Sequence, residues 1–153
     1  MKKISQLFEK FYPTLIGISV YLLNYFIFEL NFKENRISDL LSSSINVSSV
    51  LMGFVGVANA VILSLDSKIV KDLKNHKFYW NRLIDFLRCA IYSCVLLFLY
   101  SIVILSIENR ILDNAQYNLH AFSIWVALIF CSFSCFVRIS RIFFYLLERE
   151  NKN

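Results

Sequence analysis

Four stretches of this chain carry no charged residue, and each is long enough to cross a bilayer as a helix. They are Phe11–Phe28, Leu40–Leu65, Cys89–Ile107 and Asn114–Val137, of 18, 26, 19 and 24 residues. A hydrocarbon core asks for about 20 mainly apolar helical residues. The charges of the 153-residue chain are gathered between these runs, which is why 58% hydrophobic and 18% charged residues coexist with a mean hydropathy of +0.57. A soluble domain averages about 45–50% apolar and about 25% charged. Alternation of period two is absent, which excludes a transmembrane barrel and leaves helices to satisfy the backbone in lipid. An aromatic content of 16% excludes disorder, and three Gly and one Pro exclude collagen-like and linker-rich chains.

The expected fold is all-α and integral to the membrane. It is a single domain over residues 1–153, with spans at about 11–29, 42–65, 87–107 and 117–138. Two helical hairpins are joined by an amphipathic cytoplasmic connector, 66–86, and followed by a cytoplasmic helix extension, 139–150. The first span follows Lys2 and Lys3, yet its apolar region is long and no small-residue cleavage site follows it, so it reads as a retained span.

Orientation follows from the basic residues. Lys2, Lys3 and Lys10 precede the first span, six more (Lys68, Lys71, Lys74, Lys77, Arg82, Arg88) lie between the second and third, and Arg138, Arg141, Arg149 and Lys152 end the chain. Only Lys33, Arg36 and Arg110 fall on the other side, a bias of thirteen to three. Both termini and the connector are therefore expected in the cytoplasm, with the protein in the inner (plasma) membrane. The net charge of +5 reads as topology and contact with anionic lipid. Direct nucleic-acid binding is not expected, because no basic cluster occupies a soluble face.

The second span is the most informative. Projected at 100° per residue, Ser42, Asn46, Ser49, Gly53, Gly56, Ala60 and Ser64 fall within about 40° of one line. Ser49-x-x-x-Gly53 and Gly56-x-x-x-Ala60 are small-x-x-x-small pairs that let helix backbones approach closely. Two readings are open. The stripe packs against another span of the same chain, or it lines a water-accessible path or the centre of a homo-oligomer. Lipid exposure is disfavoured, since Asn46 and the serines would lack partners.

The connector places Ile69, Leu73, His76, Trp80, Leu83 and Leu87 on one helical face, with lysines mostly elsewhere. It reads as a stretch at the headgroups, or as a docking surface for a cytosolic protein. Lys68, Lys71, Lys74, Lys77 and Trp80, with Arg138 and Arg141, form the expected partner or lipid surface. Beyond Arg141 the run Ile142–Leu147 is apolar all round, so the fourth helix overruns the membrane and needs cover from the connector or a neighbouring subunit.

Other chemistry is absent. The four cysteines sit in the inner halves of their spans beside a reducing cytosol, and Cys89 and Cys94 point about 140° apart. They read as small apolar packing, with no metal site and no cofactor. His76 and His120 are expected on opposite sides of the membrane, and no clustered Ser/His, H-E-x-x-H or phosphate loop occurs, so an enzyme is not expected. Secondary transport is disfavoured because the first span offers only Asn24 at depth where proton coupling needs a carboxylate or His.

From Leu40 to Asn75 a Ser/Asn-rich span turns through Leu65-Asp66-Ser67-Lys68 into a short basic segment. This pattern resembles small four-span membrane components of bacterial anti-phage defence systems, of the Kiwa membrane subunit or CRISPR-associated pore accessory type. The resemblance implies an oligomeric inner-membrane effector or pore that works with a cytosolic partner, and it transfers no catalytic residue. A non-conducting sensor or scaffold that docks a cytosolic protein is the alternative, and a small transporter or holin-like protein the third. The charge bias gives the first testable outcome: reporter fusions after Lys33 and at Asn153 should report opposite sides of the membrane, with Asn153 inside.

Overall fold

In the computed structural model, residues 2–32, 36–64 and 77–150 are described, with side chains for 11–32, 36–62, 80–108, 110–146 and 148. The elements are α1 (Lys2–Leu23, prolonged by a π-helical turn Asn24–Phe28), α2 (Ile37–Ser64), α3 (Lys77–Ser106), a short α4 (Glu108–Leu112) and α5 (Ala115–Glu150). No strand occurs among the described residues. Four segments are long and apolar enough to cross a membrane: Phe11–Phe28, Ile37–Ile62, Trp80–Ser106 and Ala115–Leu146, with mean hydropathies of 1.5, 1.8, 2.3 and 2.0. The fold is thus all-α with four candidate transmembrane helices, a multi-pass membrane architecture.

Several helix ends lie well outside the charge-free runs. The second helix begins at Ile37 rather than 42, and the third at Lys77, so half of the expected connector is continuous with a span. Charge marks where hydrocarbon ends, but a helix has no reason to stop there while its backbone bonds continue. Asp39 suits the first turn of α2, where a negative charge meets the helix dipole. Asn114 caps α5: its Oδ1 accepts from the backbone N–H of Gln116 at 3.0 Å and of Tyr117 at 3.3 Å. With 36 residues, α5 is about 54 Å long against a hydrocarbon core of about 30 Å.

Of the two expected hairpins, α3 and α5 pack on one another, but α1 and α2 do not. Helix α5 lies in the middle, with α1 along one side and α3 along another, while α2 packs mainly on α3 and touches α5 more lightly. The consecutive helices α1 and α2 are not packed neighbours. The cause lies in residues 29–32, the described start of the segment between them, which lie on the end of α5 that the charge bias expects on the outer side. There Phe32 donates its N–H to Asn118 Oδ1 at 2.9 Å, and Asn118 Nδ2 donates back to the Phe32 carbonyl at 3.0 Å. This two-bond clamp holds that peptide on α5 and delivers α2 to the far side.

Two apolar clusters fill the bundle. The outer one gathers Phe32, Ile37, Leu41, Leu97, Ile104 and Trp125. The inner one joins Val55 and Ile62 of α2, Leu83 and Leu87 of α3, and Ile139 and Leu146 of α5. The overlong end of α5 is therefore covered in part within the chain, by α2 and α3, with Ile142 and Phe143 also against the inner cluster. Phe144 and Tyr145 remain exposed.

One glycine makes the close helix approach, and it is Gly17. A Cβ added there would stand 3.2 Å from the Ala127 carbonyl oxygen and 3.4 Å from Cys131 Cβ, so α1 touches the backbone of α5. At Gly53 and Gly56 an added Cβ would meet nothing within 4 Å. Gly17→Leu should lower the stability of the single chain by about 1–3 kcal/mol, the usual cost of overpacking. Gly53→Leu should leave it unchanged, as read by denaturant titration in mild detergent.

Candidate functional site

The α2 stripe is the site the sequence singles out, and it points away from the bundle. Ser42, Asn46, Ser49, Gly53, Gly56 and Ala60 are all exposed; the side chain of Ser64 lies outside the described residues. The packed face of α2 is the opposite one, formed by Ile37, Leu41, Ser44, Ser48, Val55, Ala58 and Ile62. Packing of the stripe against another span of the same chain is therefore corrected. Both faces repeat at intervals of three and four, so periodicity finds two candidate seams and cannot rank them. What ranks them is bulk: Ile37, Leu41 and Ile62 bury far more apolar area than glycines can.

Along the stripe the polar groups differ. Ser49 bonds its own helix, Oγ to the Ile45 carbonyl at 2.9 Å. Asn46 has no such refuge, and its side-chain amide makes no hydrogen bond among the described residues. It lies nine residues into the helix, about 13 Å along the axis from Ile37. An amide at that depth carries two donors and an acceptor that hydrocarbon cannot satisfy. Exposed Val50 and Val57 flank the stripe, and its outer half adjoins an apolar groove of ≈ 230 Å³ lined by Ser43, Val47, Leu51, Trp125 and Phe133.

Most of the buried polar groups, by contrast, are paired, Ser140 Oγ and Arg138 Nη2 being the exceptions among the described residues. Ser44 and Ser101 share a hydrogen bond of 2.8 Å between their hydroxyls, and Trp125 Nε1 donates to Ser44 Oγ at 3.2 Å, tying α2, α3 and α5 together. Asn24 Nδ2 donates to Ser123 Oγ at 2.7 Å and to the Leu30 carbonyl at 3.2 Å, which anchors the π-helical turn on α5. Tyr21 Oη lies 3.1 Å from His120 Nδ1, and Tyr25 stacks on that imidazole. Sequence periodicity missed Ser44, Ser101, Ser123 and Asn118. A scattered Ser or Asn in an apolar run is visible in sequence, but its partner on another helix is not.

The expected partner surface divides. Lys68, Lys71 and Lys74 lie outside the described residues, and Lys77 is described only as the first residue of α3. Trp80 is half-buried against the inner cluster. Arg138 turns inward as well: its guanidinium carbon sits 4.3 Å from the Tyr12 ring centroid and 4.4 Å from that of Phe86. Enclosed there, Arg138 Nη2 has no hydrogen-bond partner. Two aromatic faces offset part of the charge's desolvation, a cation–π contact being worth up to about 2 kcal/mol when dry. Of the three members whose side chains are described, Arg141 is the outward one, beside an open groove of ≈ 400 Å³ with Ser140, Phe144 and Tyr145.

The cysteines also come closer than their helical projection suggested. Cys89 Sγ stands 3.9 Å from Cys135 Sγ. Among the described residues, no group of three or more His, Cys, Asp or Glu has an arrangement that holds a metal ion.

Comparison of the chain with protein-family models, with curated proteins and with solved structures finds no match.

The Asn118 clamp yields a direct test. Asn118→Ala leaves the Phe32 N–H and carbonyl buried without partners, a penalty of about 1–3 kcal/mol for each group. Thermal unfolding in mild detergent should show that loss, whereas Asn114→Ala, which removes only a helix cap, should cost about 1 kcal/mol.

Proposed function

We propose that the chain is the subunit of a homo-oligomeric inner-membrane effector whose copies meet through the outward face of α2 and enclose a pore-like path. The observation that carries this reading is Asn46, a side-chain amide deep in a span with no hydrogen-bond partner among the described residues. An amide is both donor and acceptor, so a second copy offers the complementary groups at the same depth by symmetry. Gly53 and Gly56 add the open space that a neighbouring helix needs to come close. The 3-4-3-4 spacing from Asn46 through Ser49, Gly53 and Gly56 to Ala60 is that of a helix seam. Around a common axis the seam would present Ser42, Asn46 and Ser49 to water in the outer half and close packing in the inner half.

The resemblance to small anti-phage membrane components supplies the setting: an effector held silent until a cytosolic partner engages its inner surface. Thirteen basic residues on the side read as cytoplasmic favour an acidic partner or anionic lipid there. The alternative, a non-conducting sensor or scaffold that docks a cytosolic protein, is favoured by exposed Phe144 and Tyr145 beside Arg141 at the inner end of α5.

Planar-bilayer recording of the purified protein decides between them. The wild type should conduct, and Asn46→Leu should lose conductance by dewetting while the single chain keeps its stability, since no intrachain hydrogen bond is removed. A wild type that does not conduct, or a variant that conducts as the wild type does, would reject the pore reading.

A further inference from the structure

Helices α3 and α5 run antiparallel, and three contacts fix their register. Arg138 lies over Phe86 at 4.4 Å, Cys135 Sγ lies 3.9 Å from Cys89 Sγ, and Ser132 Oγ donates to the Ser93 carbonyl at 3.0 Å. Each step of one turn along α3 is matched by one turn back along α5. Cys89 and Cys135 therefore face one another across the seam, held by a contact one turn above and another one turn below. The helices are close here because the residues between them are small: Ala90, Ser93 and Ser132 are all buried.

The two thiols differ in access. Cys135 is 2% exposed and lies inside the bundle. Cys89 is half-buried and follows Arg88, which is exposed and immediately precedes the charge-free run of the span. A small oxidant can reach Cys89 from the inner interface, whereas Cys135 is reached chiefly through Cys89. That is the division between an attacking and a resolving cysteine, and the pair sits near a reducing cytosol that keeps it open at rest.

We propose that Cys89 and Cys135 form an oxidant-closed dithiol, a reversible staple between α3 and α5 that responds to hydroperoxides. The Cys89 thiolate attacks a peroxide oxygen, the O–O bond breaks, and Cys89 becomes a sulfenic acid as hydroxide leaves. The Cys135 thiol then loses its proton, its sulfur attacks the Cys89 sulfur, and the sulfenic oxygen departs as water. Two thiols are oxidised by two electrons, and one hydrogen peroxide is reduced to two water molecules. The sulfurs must close from 3.9 Å to about 2.05 Å, a movement divided between two side chains on helices already in contact. The staple locks the inner halves of α3 and α5 one turn below the Arg138 clamp. It stands apart from the proposed pore, because no residue of the outward α2 face takes part in it.

The test uses the full chain in lipid vesicles, treated with hydrogen peroxide, then denatured in sodium dodecyl sulfate, alkylated with N-ethylmaleimide, and mapped by proteolysis and mass spectrometry. All four thiols should be alkylated before treatment, and Cys94 and Cys131 alone after it, with a linked Cys89–Cys135 peptide pair that dithiothreitol separates. In Cys135→Ser, Cys89 should be trapped by dimedone as a sulfenic acid. Cys94→Ser should retain the linked pair, which shows that a serine replacement in the seam leaves the fold able to close it. The proposal is overturned if Cys89 and Cys135 remain alkylatable after peroxide, if the peroxide-linked peptides join different chains, or if Cys135→Ser carries no sulfenic acid.

Discussion

Inside hydrocarbon a polar group can bond only to protein, and helix α5 is where most of the buried ones do so. Asn118 clamps the peptide of Phe32, Ser123 receives Asn24, Trp125 reaches Ser44, and Ser132 meets the backbone of α3. Tyr12 Oη donates to the Ser134 carbonyl at 3.0 Å, which ties α1 to the same helix near its inner end. Each bond is worth about 0.6–2 kcal/mol in a membrane, and each fixes a register that apolar contact alone leaves free to slide. The central position of α5 follows from these bonds. It carries polar groups on several faces, and α1, α2 and α3 arrange themselves to meet them.

The same constraint gives Asn46 its meaning. Asn24 and Asn118 are paired within the chain, whereas Asn46 sits on an outward face of α2 with no hydrogen bond among the described residues. Gly17 and Gly53 make the parallel contrast in packing: the first is pressed against the backbone of α5, while the second opens on empty space. Surface that is small and polar and left uncovered by its own chain is what a neighbouring copy could use, and this links the fold to the proposed effector.

At the inner end the problem is charge rather than hydrogen bonding. Arg138 enters the bundle between Tyr12 and Phe86, and the apolar tail of α5 folds against α2 and α3. Just below, the four cysteines were legible only as small residues on two separate helices. A helical projection relates residues of one helix, such as Cys89 and Cys94, and is silent on what the facing helix brings. Cys135 comes from that facing helix, and the antiparallel register places it opposite Cys89.

The amino-acid sequence by itself determined the class of fold. Four charge-free runs demand helices, because no other open-ended structure satisfies its backbone in lipid, and the helices are where the runs are. It also determined that α2 has a stripe of small and polar residues, since composition and a period of 3.6 are local properties. Tertiary structure decided the rest. That α1 and α2 are not packed neighbours depends on Asn118, 86 positions from Phe32, and which face of α2 is buried depends on what α3 and α5 present to it. The reason is physical. Helix formation in a bilayer is settled within each segment, whereas the choice of neighbour is settled by a few hydrogen bonds and close contacts between residues far apart in the chain.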